Sequence, residues 1–281
     1  MRLTPEIRQQ LEALGPFGGN TPDIGEALLW LAAMDRPGVA IDPYRRHLQN
    51  LVEATRDYTA GEDPALVIER ANMRIESLHQ IIIRRFGYTS PESTDLVPHD
   101  FNMMRVIDNR NGSPLCIGML YLYVSQQLGW GLEGINFPGA LLLKTTDIDT
   151  PIIFDPISCL PVSVPDLRLM LKAVRGQDAE LSPVHYQPHS HTDLLLVLLD
   201  QIKRLMLGLG QLDPVRHVLE AMILINPKDG QLWRESGLIH ARLDHIAEAI
   251  NALEEYLKYS RVDDASYDAS LLLQDLKQKL I

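Results

Sequence analysis

Two thiols are available for covalent chemistry in this chain, those of Cys116 and Cys159. A cysteine attacks as its thiolate, and a free thiol with a pKa of about 8.5 is mostly protonated at neutral pH. Cys116 follows Ser113-Pro114, which is suited to the N-cap and first position of a helix. The partial positive charge of that helix terminus favours a thiolate. The alternative is that Cys116 is a small buried residue packed under its helix.

Histidines form a second group of candidate residues. His185, His189 and His191 lie close together, and such imidazoles can bind a metal ion or act as a base for a thiol. Cysteines and carboxylates at a recognised metal-ligand spacing are missing beside them, so a solvated linker is the competing interpretation. His99 is a further candidate for a base. The sequence has no phosphate-binding glycine loop, nucleophile elbow or His-Glu-x-x-His motif, and no cofactor is predicted.

Apolar spacing predicts the elements that would position these residues. Helices are expected at 23–34, at 64–86 and from Pro114 to Leu128, where Gly129 ends the last one. Two short β-like runs, 141–144 and 152–154, flank a polar turn, and the second leads into Asp155-Pro156. We therefore expect a small antiparallel sheet packed on the Pro114–Leu128 helix. Asp155 either takes part in chemistry or only forms a turn before Pro156.

A degenerate repeat is present in the last third of the chain. One set of residues has the spacing of a tetratricopeptide unit, namely Trp233, Gly237, His240, Leu243, Ala249 and Leu253. Shifting back by about 34 residues gives a second set, namely Met206, Leu209, Val215, Leu219 and Pro227. An amphipathic segment at 265–280 would cap the stack. The alternative is a plain helical bundle.

Charge and composition exclude several classes of partner. The net charge of −11 disfavours a phosphate backbone, and no basic cluster with interleaved aromatic residues occurs, so nucleic-acid binding is not expected. No apolar run reaches the roughly 18–20 residues that span a bilayer, so no membrane association is expected. The chain starts without a signal-peptide pattern, and two cysteines form no disulfide framework. We expect a soluble cytoplasmic protein.

Several segments together resemble the bacterial SirB family. They are Asn102, the run Arg110 to Cys116, Leu128-Gly129, the run Glu133 to Gly139, and Phe154-Asp155-Pro156. The resemblance implies a mostly helical α+β fold, in which a transglutaminase-like (cysteine-protease-like) core with a small antiparallel sheet precedes TPR-like helical repeats. We divide the chain accordingly into an N-terminal helical region (1–95), the core (96–185) and the repeats (190–281).

The resemblance also implies a Cys-His-Asp triad. Cys116 matches the cysteine position and Asp155 the aspartate position. The histidine is expected directly after the Pro138-Gly139 pair, where this chain has Ala140. Alanine can neither activate a thiol nor protonate a leaving group. The triad is therefore expected to be degenerate, which argues against catalysis.

Three functions are compatible with these features. The first is a non-catalytic adaptor that binds a protein or peptide partner through its TPR-like surface. The second is a thiol-dependent acyl transferase or protease, in which Cys116 is served by a non-standard base. The third is a redox- or metal-responsive adaptor that uses Cys116, Cys159 and the histidine cluster. Because the triad histidine is replaced by Ala140, we favour the first.

Overall fold

The computed structural model describes residues 1–15, 22–60, 67–91, 95–146, 151–259 and 264–279, and side chains for all of these except 67–70 and 264. Contacts divide the chain into one unit formed by Met1–Asn20 and Leu199–Ile281 and another formed by Thr21–Leu198. This grouping places the first helix with the C-terminal helices. The three-part division at residues 95 and 190 stays a prediction. Within the described ranges, no helix has the length and apolarity to cross a membrane.

Twelve α-helices are assigned in the described residues. In chain order they are α1 (Pro5–Ala13), α2 (Ile24–Asp35), α3 (Asp42–Tyr58), α4 (Val67–His79), α5 (Met103–Asn109), α6 (Pro114–Leu128), α7 (Val164–Arg175), α8 (His191–Gly208), α9 (Leu212–Ile225), α10 (Gly230–Arg242), α11 (Ile246–Tyr259) and α12 (Asp264–Lys279). A π-helical segment (Gln80–Arg85) extends α4, and short 3₁₀ turns lie at Pro98–Phe101 and Pro183–Tyr186. The predicted helix at 64–86 is thus present from Val67. Its predicted start lies outside the described residues.

The central element of the larger unit is α6. The Ser113 hydroxyl accepts a hydrogen bond from the Cys116 N–H at 3.2 Å, which caps the helix as predicted. Gly129 ends it in the left-handed conformation, with a φ of +67°. All residues from Cys116 to Ser125 are buried, so α6 is covered on every side.

A three-stranded antiparallel sheet packs on α6. It consists of β1 (Leu132–Phe137), β2 (Ala140–Thr145) and β3 (Ile153–Phe154), in the order β1-β2-β3. The predicted strands around 141–144 and 152–154 are confirmed as β2 and β3. The strand β1 was not predicted, because Glu133, Gly134 and Asn136 interrupt its apolar pattern.

The two faces of the sheet contact different helices. Ile135, Phe137 and Leu142 form a buried cluster with Leu167 and Leu171 of α7. The opposite face meets α6, since a Cβ added at Gly118 would lie only 2.5 Å from the Leu141 side chain. A glycine at position 118 therefore permits the close approach of α6 to β2.

Paired helices form the smaller unit. The α10–α11 pair is in close contact, and a Cβ added at Gly237 would lie 2.8 Å from the Leu253 side chain. Beside α10 the Lys203 ammonium of α8 is paired with Glu235 at 2.5 Å and with Asp200 at 3.0 Å. The amphipathic segment predicted as a cap forms α12, which packs on α11. The N-terminal helix α1 packs on α9, where Arg8 forms an ion pair with Glu220.

Candidate functional site

Cys116 is completely enclosed in the first turn of α6. Its exposed fraction is 0%, and burial raises the pKa of its thiol to about 12, with the nearby Asp100 charge adding to the increase. The hydrogen bond with Ser113 acts in the opposite direction. The position at the helix N-terminus was predicted to favour a thiolate, but burial outweighs that effect because no water stabilises the charge.

Asp155 forms a local turn. Its Oδ1 accepts hydrogen bonds from the Ile157 N–H at 3.0 Å, the Ser158 N–H at 2.7 Å and the Ser158 hydroxyl at 2.9 Å. The Asp155 carbonyl accepts a further bond from the Cys159 N–H at 2.9 Å. Among the described residues, no hydrogen bond joins Cys116 to Asp155 or to an imidazole.

Ala140 lies on the sheet face that contacts α7. It pairs with Phe137 of β1 and packs with the cluster that contains Leu142 and Leu171. The next residue along β2, Leu141, is the one that contacts α6. Because successive strand residues point to opposite faces, the side chain of residue 140 is directed away from the helix that carries Cys116.

The three linker histidines bind separate backbone groups. His185 Nδ1 lies 3.0 Å from the Ser182 nitrogen, and His191 Nδ1 lies 3.1 Å from the Pro22 carbonyl. His189 pairs with Gly134 at the edge of β1, where its Nδ1 accepts a bond from the Asn136 N–H at 3.4 Å. His189 and His191 therefore attach this segment to distant parts of the core, whereas the bond of His185 is local to the segment. The described residues contain no cluster of three or more potential metal ligands.

Comparison with known proteins identifies the family to which the larger unit belongs. The profile of the transglutaminase-like superfamily matches residues 42–200. The chain belongs to the transglutaminase-like superfamily. A tetratricopeptide repeat profile matches residues 202–275. The predicted fold, a transglutaminase-like core with a small antiparallel sheet followed by repeats, is thus confirmed.

Bacterial relatives cover most of this transglutaminase-like protein. A UPF0162 protein of Pseudomonas aeruginosa is 29% identical over 258 residues, which cover 90% of this chain and 86% of that protein. Protein SirB1 of Salmonella typhimurium is 23% identical over 194 residues, which cover 69% of this chain and 72% of that protein. YchA of Escherichia coli is 25% identical, and its alignment also covers 69% of this chain and 72% of that protein. The resemblance to the SirB family is therefore confirmed.

One solved structure that aligns with this chain is that of menin, described as revealing the binding site for the Mixed Lineage Leukemia protein. The alignment covers 94% of this chain and 71% of the menin chain. The TM-score is 0.42 at 10% identity, a level at which neither fold nor function follows.

Two histidine–tyrosine pairs in the transglutaminase-like core, one buried and one partly buried, were not predicted. The Tyr121 hydroxyl of α6 lies 3.3 Å from His79 Nδ1, and burial lowers the pKa of that imidazole. Elsewhere His47 Nε2 lies 2.8 Å from both the Tyr88 hydroxyl and Arg110 Nη1. Burial, and then the Arg110 charge, lower the pKa of His47 to about 4. The signal available in the sequence was a histidine, His79 or His47, among the apolar residues of its helix.

A cleft in this core is lined by residues other than the predicted triad. It is narrow and partly open to solvent. Arg74 and Trp130 line the cleft, and the Arg74 guanidinium lies 5.0 Å from the centre of the Trp130 ring. The buried hydroxyl of Ser125, which also lines the cleft, has no hydrogen-bond partner among the described residues. Cys116, Asp155 and Ala140 are not among the residues that line it.

Proposed function

We propose that this protein is a non-catalytic adaptor, which binds a protein or peptide partner through its tetratricopeptide repeats. The enclosure of Cys116 carries the proposal. A nucleophile must reach its substrate as a thiolate, and this thiol has no exposed surface and a pKa raised to about 12. Burial of this kind favours a packing role for the sulfur.

The surroundings of Cys116 support the same conclusion. The Ser113 hydroxyl, which accepts a hydrogen bond from the Cys116 backbone N–H, cannot act as the base that a thiol nucleophile needs. The Asp155 carboxylate is engaged by its own turn. A histidine substituted for Ala140 would extend towards α7, so restoring that residue alone would not rebuild a triad.

The repeats supply the binding part of the proposal. Paired helices of the tetratricopeptide type stack so that one side chain-lined surface stays open to a partner segment. The proposed adaptor needs no cofactor and acts in the cytoplasm. Both statements rest on the motif content and the cysteine count of the sequence.

Capture experiments with three versions of the full chain test the proposal. The baits are the natural protein, Cys116→Ser and Gly237→Val, and the last inserts a side chain against Leu253 within the second repeat. Partners should be retained by Cys116→Ser and lost with Gly237→Val, and circular dichroism checks that the core of each bait is folded.

The outcome that contradicts the proposal is equally specific. Loss of partners with Cys116→Ser but not with Gly237→Val would assign binding to the thiol site. Turnover of an amide or ester substrate that disappears in Cys116→Ser would show that the protein is a thiol enzyme.

A further inference from the structure

Three cations share one face of α7. Arg168, Lys172 and Arg175 follow one another at positions i, i+4 and i+7, which places their side chains on the same side of the helix. Arg168 and Arg175 are exposed, and Lys172 is partly exposed. We name this face the basic stripe of α7. It spans about 10 Å along the helix, at a rise of about 1.5 Å per residue.

The basic stripe has no counter-charge among the described residues. None of its cations forms an ion pair there, although acidic residues outnumber basic ones by 37 to 26 in the chain. The carboxylate of the helix itself, Asp166, accepts a hydrogen bond from the Ser163 N–H at 2.9 Å and caps the helix. Asp178 and Glu180 follow the helix at exposed positions without pairing with the stripe. Adjacent unpaired cations in an acidic protein form a local site of attraction for negative charge.

Two hydrogen-bond donors face each other at the C-terminal end of the stripe. His185 Nδ1 accepts a bond from the Ser182 N–H at 3.0 Å, so we assign the proton of the neutral imidazole to Nε2. That Nε2 lies 3.5 Å from Arg175 Nη1 in an exposed position. Both atoms carry hydrogens, and neither can accept from the other. A carboxylate beside them can accept from both, and the position is open to solvent.

Apolar side chains of the same helix are also exposed. Leu169 is 68% exposed and Val164 is 52% exposed, whereas Leu167 and Leu171 hold the helix on the sheet. A small inorganic anion gains nothing from exposed apolar surface. A protein segment that carries both acidic and apolar side chains can contact both kinds of surface.

We propose that the basic stripe of α7 is a docking site for an acidic, partly apolar segment of a partner protein. Carboxylates of that segment bind the three cations, with the His185 donor at one end. The net charge of −11 opposes an extended anionic surface such as a membrane, because that surface meets the field of the whole chain. The stripe lies in the transglutaminase-like core, so it goes beyond the proposed binding by the repeats and does not depend on it.

A defined peptide tests the site on the full-length protein. The probe is acetyl-Glu-Leu-Glu-Leu-Glu-amide, whose alternate glutamates lie about 7 Å apart when extended, comparable to the rises of about 4.5–6 Å between the cations. A glutamine analogue removes its charge, and a serine analogue replaces its leucines. NMR should show saturable shifts in α7 with a Kd on the order of millimolar, and the affinity should fall as salt increases. Both analogues should bind more weakly.

Charge-matched variants separate the stripe from general electrostatics. The stripe variant combines Arg168→Gln, Lys172→Gln and Arg175→Gln. The control variant removes the same charge from exposed positions elsewhere in the same unit, and combines Arg46→Gln, Arg56→Gln and Arg85→Gln. The stripe variant should weaken probe binding by about tenfold or more, because it removes the charged donors. The control variant should leave binding within about twofold. Circular dichroism checks that both are folded.

A single substitution tests the paired donors. His185→Asn keeps an acceptor for the Ser182 N–H and removes the Nε2 donor beside Arg175. Probe binding should weaken by about two- to fivefold, as expected for the loss of one exposed hydrogen bond. His189→Asn is the matched control, because that imidazole contacts the Asn136 N–H instead, and it should leave binding unchanged.

Several results would overturn the inference. They are equal binding of the probe and its glutamine analogue, and equal weakening by the stripe and control variants. Equal binding of the serine analogue would reduce the stripe to a site for simple anions. Binding to phosphatidylserine vesicles that needs the stripe, without binding of the peptide, would assign the surface to a membrane and refute the proposed occupant. The adaptor proposal fails separately, through the capture experiment with Gly237→Val, and its failure would leave the docking site on α7 standing.

Discussion

The two cysteines occupy different environments within the transglutaminase-like core. Cys116 has no exposed surface, whereas Cys159 is partly exposed, with a left-handed backbone (φ of +59°) and its sulfur 3.9 Å from the Ile75 carbonyl. Burial raises the pKa of Cys159 to about 11, with Glu76 and Asp155 adding to the shift. The two thiols therefore differ more in their exposure to solvent than in their pKa values.

The first prediction is that iodoacetamide modifies native Cys159 slowly and spares Cys116. Because the thiolate is the reacting form, labelling of Cys159 should still accelerate between about pH 7 and pH 9, below its raised pKa. Peptide mass spectrometry measures both sites, and labelling in denaturant, where both should react alike, is the control. Native labelling of Cys116 as fast as a free thiol peptide would contradict the burial of that thiol.

The second prediction concerns His47, whose pKa in the folded protein is about 4. The unfolded chain, with a histidine pKa near 6.5, takes up a proton that the folded state does not. The contribution of neutral His47 to the free energy of unfolding is therefore complete above about pH 6.5 and is lost as the pH falls towards 4. Allowing for partial exposure and solvent screening, we expect a loss of about 1–2 kcal/mol.

Urea denaturation of the natural protein and His47→Gln across this pH range measures the effect. The difference in unfolding free energy between the two proteins should narrow as the pH falls. The variant comparison is needed because His79, His217 and His240 also have lowered pKa values and contribute in the same direction. A difference that is constant with pH would show that His47 does not titrate as expected.

Helices and strands were predictable where their signals are local. Ser113-Pro114 and Gly129 mark the two ends of α6, and the structure uses them as the N-cap and C-cap. Strand β1 was missed because Gly134 is required by a tertiary contact. A Cβ there would lie 2.6 Å from Leu194 and 3.2 Å from Leu122, which are distant in sequence. The position of Cys116 could likewise be predicted, but its burial depends on all the elements that cover α6.

The third prediction tests the helix contact that defines the second repeat. Gly237→Ala would place a Cβ 2.8 Å from the Leu253 side chain. We expect the resulting steric cost, about 1–3 kcal/mol, to exceed the gain in helix propensity, which is about 1 kcal/mol. Gly208→Ala is the matched control, because nothing lies within 4 Å of its added Cβ and α8 ends there. Thermal unfolding should show a lower Tm for Gly237→Ala and an unchanged or higher Tm for Gly208→Ala. A similar increase in both variants would exclude the close contact with Leu253.

At the scale of the whole molecule, the two ends of the chain belong to one unit. The sequence pattern of α1 reveals an amphipathic helix but not its neighbour, so the prediction grouped it with the helices that follow. In the structure, Ile7 and Leu11 are buried and α1 packs on α9, more than two hundred residues along the chain. A contact between residues so distant in sequence leaves no periodic signal in either segment.

The fourth prediction follows from this packing. Leu11→Ala removes a fully buried side chain, which costs about 2–4 kcal/mol when the cavity does not collapse. Because the cavity lies in the unit that contains α9, native-state hydrogen exchange should lose protection in Leu212–Ile225 and retain it in Pro114–Leu128 of the core. Glu12→Ala, at an exposed position of the same helix, is the control and should change neither segment. Lost protection in the core with unchanged protection in α9 would mean that α1 stabilises the core, as the division predicted from the sequence implies.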